Sequence, residues 1–424
     1  MQEYAQVLMI AIPFFMVLIA VEYAVSRVRG IKVYRGMDTI SSLSSGLTNT
    51  IKDVLGLVII ILSYSWLVDK LALFDIKSTI WLYVLAFIGK DFAGYWSHRF
   101  EHVINIFWNR HIIHHSSEEF NLACALRQPV SNMVAIFTFL YIPMAILGVP
   151  ARVVAVVAPI HLFMQFWYHT RLIDKLGFLE YILVTPSHHR VHHAINEEYM
   201  DRNFSQIFII WDRLFGTFQK ELDEVPAVFG VKRPVQTWNP IVINFKHLWL
   251  LIQDAWKTKN WNDKLRIWFM PTGWRPSDVQ ESYDVYSVKD VYSLEKYDSQ
   301  LPISLEYWSY FQLVFHSVLM LYMFSQFGQY SFSLVFLYGL FLLVSIFAFT
   351  SLMDRSIIAL IAEGFKLIIG GTIFYMIQGW FGIEEMIPFG SSLMVIYLFI
   401  SFTITLYYLV INSNTKKYTA IVSN

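Results

Sequence analysis

Three histidine clusters carry the chemistry of this chain. His98 and His102 are four residues apart, and His111, His114 and His115 form an HxxHH pattern that His189, His192 and His193 repeat. On a helix, positions i, i+3 and i+4 share a face, so each cluster can aim two or three imidazoles at one point. Imidazole ligates zinc, copper, iron and nickel. Eight such ligands exceed one zinc, whose structural sites take four ligands and whose catalytic sites take about three. The number points to two metal ions, each with several nitrogen ligands. Bis-histidine haems would need histidines paired across helices deep in a bilayer, not triplets at its edge.

Other polar residues near the clusters are candidates for supporting roles. His169, in QFWYHT, is placed to supply a ninth ligand. His188 precedes the third cluster but points off its ligand face, which suits contact with a ligand or with substrate. Asp91 interrupts an apolar run beside Lys90 and shares a stripe with Tyr95, His98 and His102. Accepting the second ring N–H of His98 would fix that tautomer and raise its basicity. Asp91, Asn121 and His188 are therefore the candidate catalytic residues, and Asn121, Arg127 and Gln128 are candidates for contact with a lipid head group or with the metal ligands. Glu101, Glu118 and Glu119 fit solvated faces equally well. His161 reads as structural or substrate-facing, and His247 and His316 as ordinary histidines.

The elements that must position these groups are membrane helices. Of 424 residues, 56% are hydrophobic and only 15% charged, against about 25% charged in an ordinary soluble domain. Thirty-two basic residues balance thirty-two acidic ones, so the basic surface of a nucleic-acid binder is missing. One cysteine, Cys124, excludes an internal disulfide framework and cysteine-based metal sites. A spanning helix needs about 20 apolar residues, and nine stretches read as spans: 7–25, 47–68, 80–96, 130–147, 153–168, 308–327, 332–353, 357–381 and 391–411. Only nine of the last 124 residues are charged, which leaves little room there for a soluble domain. Arg27, Arg29, Lys32 and Arg35 put the first loop in the cytoplasm by the positive-inside rule. Alternation then turns the histidine clusters and residues 170–305 to the same side, with Lys416 and Lys417. Residues 245–257 read as an amphipathic helix, and Trp249, Trp256, Trp261, Trp268 and Trp274 suit a segment lying on the membrane.

The expected fold is an all-α integral membrane protein with about nine spans and a cytoplasm-facing histidine-rich di-metal site at the membrane edge. Residues 1–90 hold the first spans, 91–220 the catalytic region, 221–305 a cytoplasmic or interfacial segment, and 306–424 the last spans. A metal transporter would put ligands and acidic residues within several spans, but the last four have a single histidine, His316.

The clusters resemble the eight-histidine pattern of the fatty acid hydroxylase and sterol desaturase superfamily. The motifs DFAGYWSHR (91–99), HHSSEEFNLACALRQ (114–128), QFWYHT (165–170), TPSHHRVHH (185–193) and IIWDRLFGTF (209–218) are similar to its alkylglycerol monooxygenase branch. The chain departs from that branch at Val103, where the branch carries a glutamate. The resemblance implies two iron ions held by His98, His102, His111, His114, His115, His189, His192 and His193, with His169 added. It implies O2-dependent hydroxylation of a membrane lipid's alkyl chain, next to an ether oxygen, with cleavage to a fatty aldehyde and a glycerol derivative. Tetrahydrobiopterin is the electron donor it implies. The alternative is a fatty acid or sterol hydroxylase or desaturase fed by cytochrome b5 or ferredoxin. The membrane would be the endoplasmic reticulum in a eukaryote and the inner membrane in a bacterium.

Overall fold

The computed structural model describes residues 2–411, and among these all regular structure is helical. The principal helices are α1 (Gln2–Val28), α2 (Gly36–Val54), α3 (Ile80–Val103), α4 (Ala151–Phe163), α5 (Pro186–His193), α6 (Pro240–Lys257), α7 (Trp261–Arg266), α8 (Ile303–Ser325), α9 (Phe332–Met353), α10 (Ile358–Ile377) and α11 (Gly390–Leu406). Among the described residues, four stretches are long and apolar enough to cross a membrane: Gln6–Val28, Phe332–Met353, Ile358–Ile377 and Gly390–Val410. Helices α3 and α8, of 24 and 23 residues, are comparably long but more polar. The protein is an integral membrane protein by these helices. Lys416 and Lys417 lie outside the described residues.

Two of the nine expected spans are not continuous helices. Residues 47–68 divide because α2 ends at Val54, and Gly56 takes the left-handed conformation at φ +67°. The following run Val58–Ile59–Ile60–Ile61 is β-branched throughout, which disfavours helix and suits extended chain. It pairs instead, Ile59 N–H donating to the Met133 carbonyl at 2.7 Å and Ala135 N–H to the Ile59 carbonyl at 2.9 Å. That pairing also occupies the start of 130–147, where only a 3₁₀ turn and the five-residue helix Ile142–Ile146 form. In the expected span 153–168, the helix stops at Phe163, about 20 Å long. The turns after it carry His169 inward.

Helix α2 joins the two parts of the molecule. Its apolar residues Ile40, Leu43, Leu47 and Ile51 enter the largest core with Ile19 of α1, Met320 and Met323 of α8, Phe341 of α9 and Ile373 of α10. Its other side is polar yet buried: Asp38, Ser41, Ser42, Ser45, Thr48 and Lys52. Arg127 lies against that side, its guanidinium 2.9 Å from an Asp38 carboxylate oxygen, 2.9 Å from Ser42 Oγ and 2.7 Å from Ser116 Oγ. The Arg127 guanidinium is therefore held in an internal ion pair, which leaves contact with a metal ligand as the other role expected of this residue.

Helix α6 is amphipathic as its spacing requires. Ile243, His247, Leu251 and Asp254 are buried, whereas Trp249 and Trp256 on the other face are exposed, as is Trp261 of α7. The buried face packs Ile243 on Ile112 and Ile113, beside the second histidine cluster.

Removing one member of a buried ion pair strands the other charge. Arg127→Met should destabilise the purified protein by about 3–5 kcal/mol. The double variant Asp38→Leu/Arg127→Met should recover much of that loss. Thermal unfolding of both in detergent checks it, and a double variant no more stable than the single would contradict the pairing.

Candidate metal centre

The histidines come from four places. Helix α3 projects His98 and His102 from its last two turns, and the single turn Ile112–His115 carries His114 and His115 just after His111. His169 follows the turns after α4, and α5 presents His189, His192 and His193. Pro186 at the first position of α5 fixes φ where no N–H is needed.

The nine side chains assemble into two groups. His98, His102, His111, His115 and His192 form one, and His114, His169, His189 and His193 the other, with one ring nitrogen from each within 4.8 Å of its group. The groups abut: the His115 and His193 rings stack at 4.3 Å.

Hydrogen bonds on the far side of each ring fix which nitrogen faces inward. A carbonyl oxygen only accepts, so the nitrogen facing it must bear hydrogen. His98 Nδ1–H donates to the Phe204 carbonyl at 2.7 Å, His192 Nδ1–H to Arg202 at 2.9 Å, His169 Nδ1–H to Gln165 at 3.0 Å and His114 Nδ1–H to Arg127 at 3.3 Å. Carboxylates take the same position more distantly, Asp201 at 3.5 Å from His102 Nδ1 and Glu101 at 3.6 Å from His111 Nδ1. The inward Nε2 atoms of His98, His192, His169 and His114 are then lone pairs.

Those lone pairs converge. His114 Nε2 and His169 Nε2 are 3.2 Å apart, and neither carries hydrogen. His189 Nε2 is 2.8 Å from His169 Nε2 and 3.0 Å from His193 Nε2. In the other group, Nε2 of His102, His115 and His192 is buried without any hydrogen-bond partner. Facing lone pairs repel unless a cation lies between them. Two nitrogens each about 2.0–2.1 Å from one ion, at right angles, stand about 2.9 Å apart, so the spacings fit shared coordination. Burial, and next the neighbouring imidazoles, push the His111, His115, His189, His192 and His193 rings well below the usual histidine range. Burial likewise brings His114 down to about 3. Neutral imidazole is the ligating form, and the residues present fit two metal ions.

The loop after α5 supplies two of the orienting carbonyls and is shaped for it. Asp201 and Asn203 both take positive φ, 55° and 56°, which Asp and Asn tolerate better than most residues. The reversal aims the Arg202 and Phe204 carbonyls at His192 and His98. Asp212 holds the loop by accepting from Phe204 N–H and Ser205 N–H, each at 2.8 Å, and from Thr217 Oγ1 at 2.7 Å. Asp201, Asn203, Phe204 and Asp212 were not candidates on sequence, although Asp212 sits in the IIWDRLFGTF motif.

The candidate catalytic residues stand elsewhere. Asp91 does not reach His98, whose Nδ1 belongs to Phe204. It accepts from His161 Nε2 at 2.8 Å, Ile207 N–H at 2.9 Å, Phe208 N–H at 3.0 Å and Trp211 Nε1–H at 2.8 Å. That makes Asp91 a clamp between α3, α4 and the segment after the Asp201 loop. Asn121 is consumed locally, donating to the Val33 carbonyl at 2.6 Å and accepting from Ala123 N–H and Cys124 N–H. Gln128 donates to the Ala125 carbonyl at 2.9 Å. His188 joins neither group; its ring meets Phe218 edge-on and its Nδ1 is buried without a partner. Glu101 pairs with Arg110 at 3.1 Å, Glu118 with Arg35, and Glu119 with Arg171 and Lys296.

Comparison with known proteins agrees with this architecture. Residues 83–217 match the family model "Fatty acid hydroxylase". All nine clustered histidines lie within this stretch. Human alkylglycerol monooxygenase is 40% identical over 268 residues, 63% of this chain and 59% of the human protein. The zebrafish (Danio rerio) alkylglycerol monooxygenase is 40% identical over 243 residues, 56% of this chain and 53% of its own length. Ornithine lipid hydroxylase of Rhizobium tropici is 28% identical over 135 residues, 32% of this chain and 41% of that protein. The chain thus spans less than three fifths of the length of these relatives. No solved structure matches it.

Each group should hold its own ion. His102→Ala and His114→Ala should each lower the metal content of the purified protein from about two ions per chain to about one. Elemental analysis reads it; two ions retained in both variants would contradict the division into two groups.

Proposed function

We propose that the chain is a di-iron, O2-dependent membrane monooxygenase that hydroxylates the alkyl chain of a lipid, most specifically an alkylglycerol at the carbon next to its ether oxygen. The observation that carries this is the inward convergence of imidazole lone pairs in two abutting groups, held by outward N–H bonds to backbone carbonyls. The similarity to alkylglycerol monooxygenases supports the choice of substrate.

His98, His102, His111, His115 and His192 would hold one iron, and His114, His169, His189 and His193 the other. Bound iron supplies O2 activation, one oxygen atom going to the alkyl carbon and one to water at the expense of two electrons from an external donor. The protein's part is to keep the imidazoles neutral and oriented and to limit water. Phe204 packs on His102, Phe120 on His193 and Tyr168 on His189, with ring centroids at 5.2, 5.2 and 4.4 Å. Hydroxylation beside the ether oxygen gives a hemiacetal, which falls apart to a fatty aldehyde and a glycerol derivative. Asp91 acts as a positioning residue. His188 is the remaining candidate for substrate contact, since its Nδ1 is uncommitted.

The electron donor in this reading is tetrahydrobiopterin, with a small redox protein as the other choice. The basic residues Arg27, Arg29, Lys32 and Arg35 favour a cytoplasm-facing centre. Exposed Trp249, Trp256 and Trp261 support a segment resting on the membrane beside it. The domain limits 91–220 for the catalytic region and 221–305 for the interfacial one belong to the same reading. The similarity to ornithine lipid hydroxylase favours a second reading, hydroxylation with the alcohol retained.

Purified protein should contain about two irons per chain. With 1-O-hexadecylglycerol, O2 and a reduced pterin it should release hexadecanal, and His192→Ala should abolish both iron and product. A stable hydroxylated lipid without aldehyde would favour the second reading. Zinc or haem in folded protein would overturn the oxygenase assignment.

A further inference from the structure

The two histidine groups differ in what stands behind their rings. In the first, two carboxylates face outward ring nitrogens, Asp201 at 3.5 Å from His102 Nδ1 and Glu101 at 3.6 Å from His111 Nδ1. In the second, the outward partners among the described residues are carbonyl oxygens, of Gln165 for His169 and of Arg127 for His114. His189 Nδ1 is buried without a partner. The charged side chains that the chain sets beside this second group are already paired, Arg127 with Asp38, Arg171 with Glu119 and Arg190 with Glu221.

Glu101 is held for its position. Its Oε1 accepts from Arg110 Nε at 3.1 Å, which leaves Oε2 toward His111. Arg110 is anchored in turn, donating to the Val134 carbonyl at 2.7 Å and lying over the Phe137 ring at 5.0 Å. The Glu101 and His111 side chains are only 17% and 14% exposed, so solvent screens the contact little. Asp201 stands in the loop that reverses after α5 and is half-exposed.

Both contacts are looser than the carbonyl bonds, so they act as charge rather than as fixed hydrogen bonds. A carboxylate behind an imidazole raises the basicity of the ring toward a metal. Negative charge there favours the more highly charged state of the ion in front of the ring. The fifth imidazole of the first group works in the same direction.

We propose that Glu101 and Asp201 make the two irons unequal, giving the ion of the five-histidine group the lower reduction potential. Of the two electrons taken from the external donor, the first turns the ferric ion of the four-histidine group ferrous. The second does the same for the ion of the five-histidine group. This rests on the two-ion reading above. Glu101 and Asp201 are positioning residues, acting through His111 and His102.

The test is potentiometry of the full chain in nanodiscs, with iron counted first and ferrous and ferric iron followed by Mössbauer spectroscopy. The unsubstituted protein should show two one-electron couples. Glu101→Gln keeps the size of the side chain and removes its charge. It should shift the lower couple about tenfold toward ferrous, about 59 mV, and leave the upper couple in place. Asp201→Asn should shift the same couple in the same direction but by less, because the position is half-exposed. Asparagine also tolerates the positive φ there, so the loop is kept. Asp223→Asn, exposed and paired with Lys175, removes a charge elsewhere and should move neither couple. If Glu101→Gln does not retain two irons, Asp201→Asn carries the decision. Two irons sharing one couple, a lower couple unmoved by Asp201→Asn, or equal shifts of both couples would overturn the proposal alone. Fewer than two irons in folded unsubstituted protein would overturn the two-ion reading and the proposal with it.

Discussion

Imidazoles whose N–H groups are bonded outward must bring their lone pairs together inside, and the structure around residues 83–217 is organised by that repulsion. A buried nitrogen left unsatisfied costs about 1–3 kcal/mol, and several are gathered here within a few ångströms. A bound cation would offset that cost. The outward bonds therefore matter as much as the histidines, since without the carbonyls of Arg202, Phe204, Gln165 and Arg127 each ring could turn and relieve the strain by presenting N–H inward.

Those carbonyls are held by layers of further contacts. Asp212 and Asn203 shape the loop that supplies two of them, Asn203 donating to the His188 and Gln219 carbonyls at 3.0 and 2.8 Å. Asp91 binds the next stretch of chain to α3 and α4. Arg127 offers its carbonyl to His114 while its guanidinium is bound to Asp38 of α2. Helix α2 in turn packs on α8 and α9, so support for the second group extends from the metal centre into the bundle of the last helices.

Much of the site was legible in the sequence because helical spacing is local. His98 with His102, and His189 with His192 and His193, share faces of α3 and α5 as their intervals require. Eight of the histidines could be gathered on type and spacing, and His169 on its place at the end of an apolar run, although not divided five and four. Partners set by tertiary structure were beyond reach. Asp91 lies on the stripe of His98 but bonds His161, seventy residues further on. The fold was legible where apolar runs were also good helices. It was misread at 47–68 and 130–147, since hydropathy does not distinguish a β-branched run from a helix-forming one, and Gly56 ends α2 inside the first of those windows.

The order of the chain has a consequence for how this protein is made. Synthesis runs from the N-terminus, so His98 to His115 emerge well before His189 to His193, and the Asp201 loop that orients two of the rings emerges later still. Helix α2 precedes the histidine clusters in the chain, yet its packing partners α8 and α9 follow them. A metal ion arriving early would meet only part of either coordination group, with no second wall to close on it. On the proposed two-ion reading, the histidine-bearing segments stay a half-built socket until His189 to His193 and the helices that seat α2 have been made.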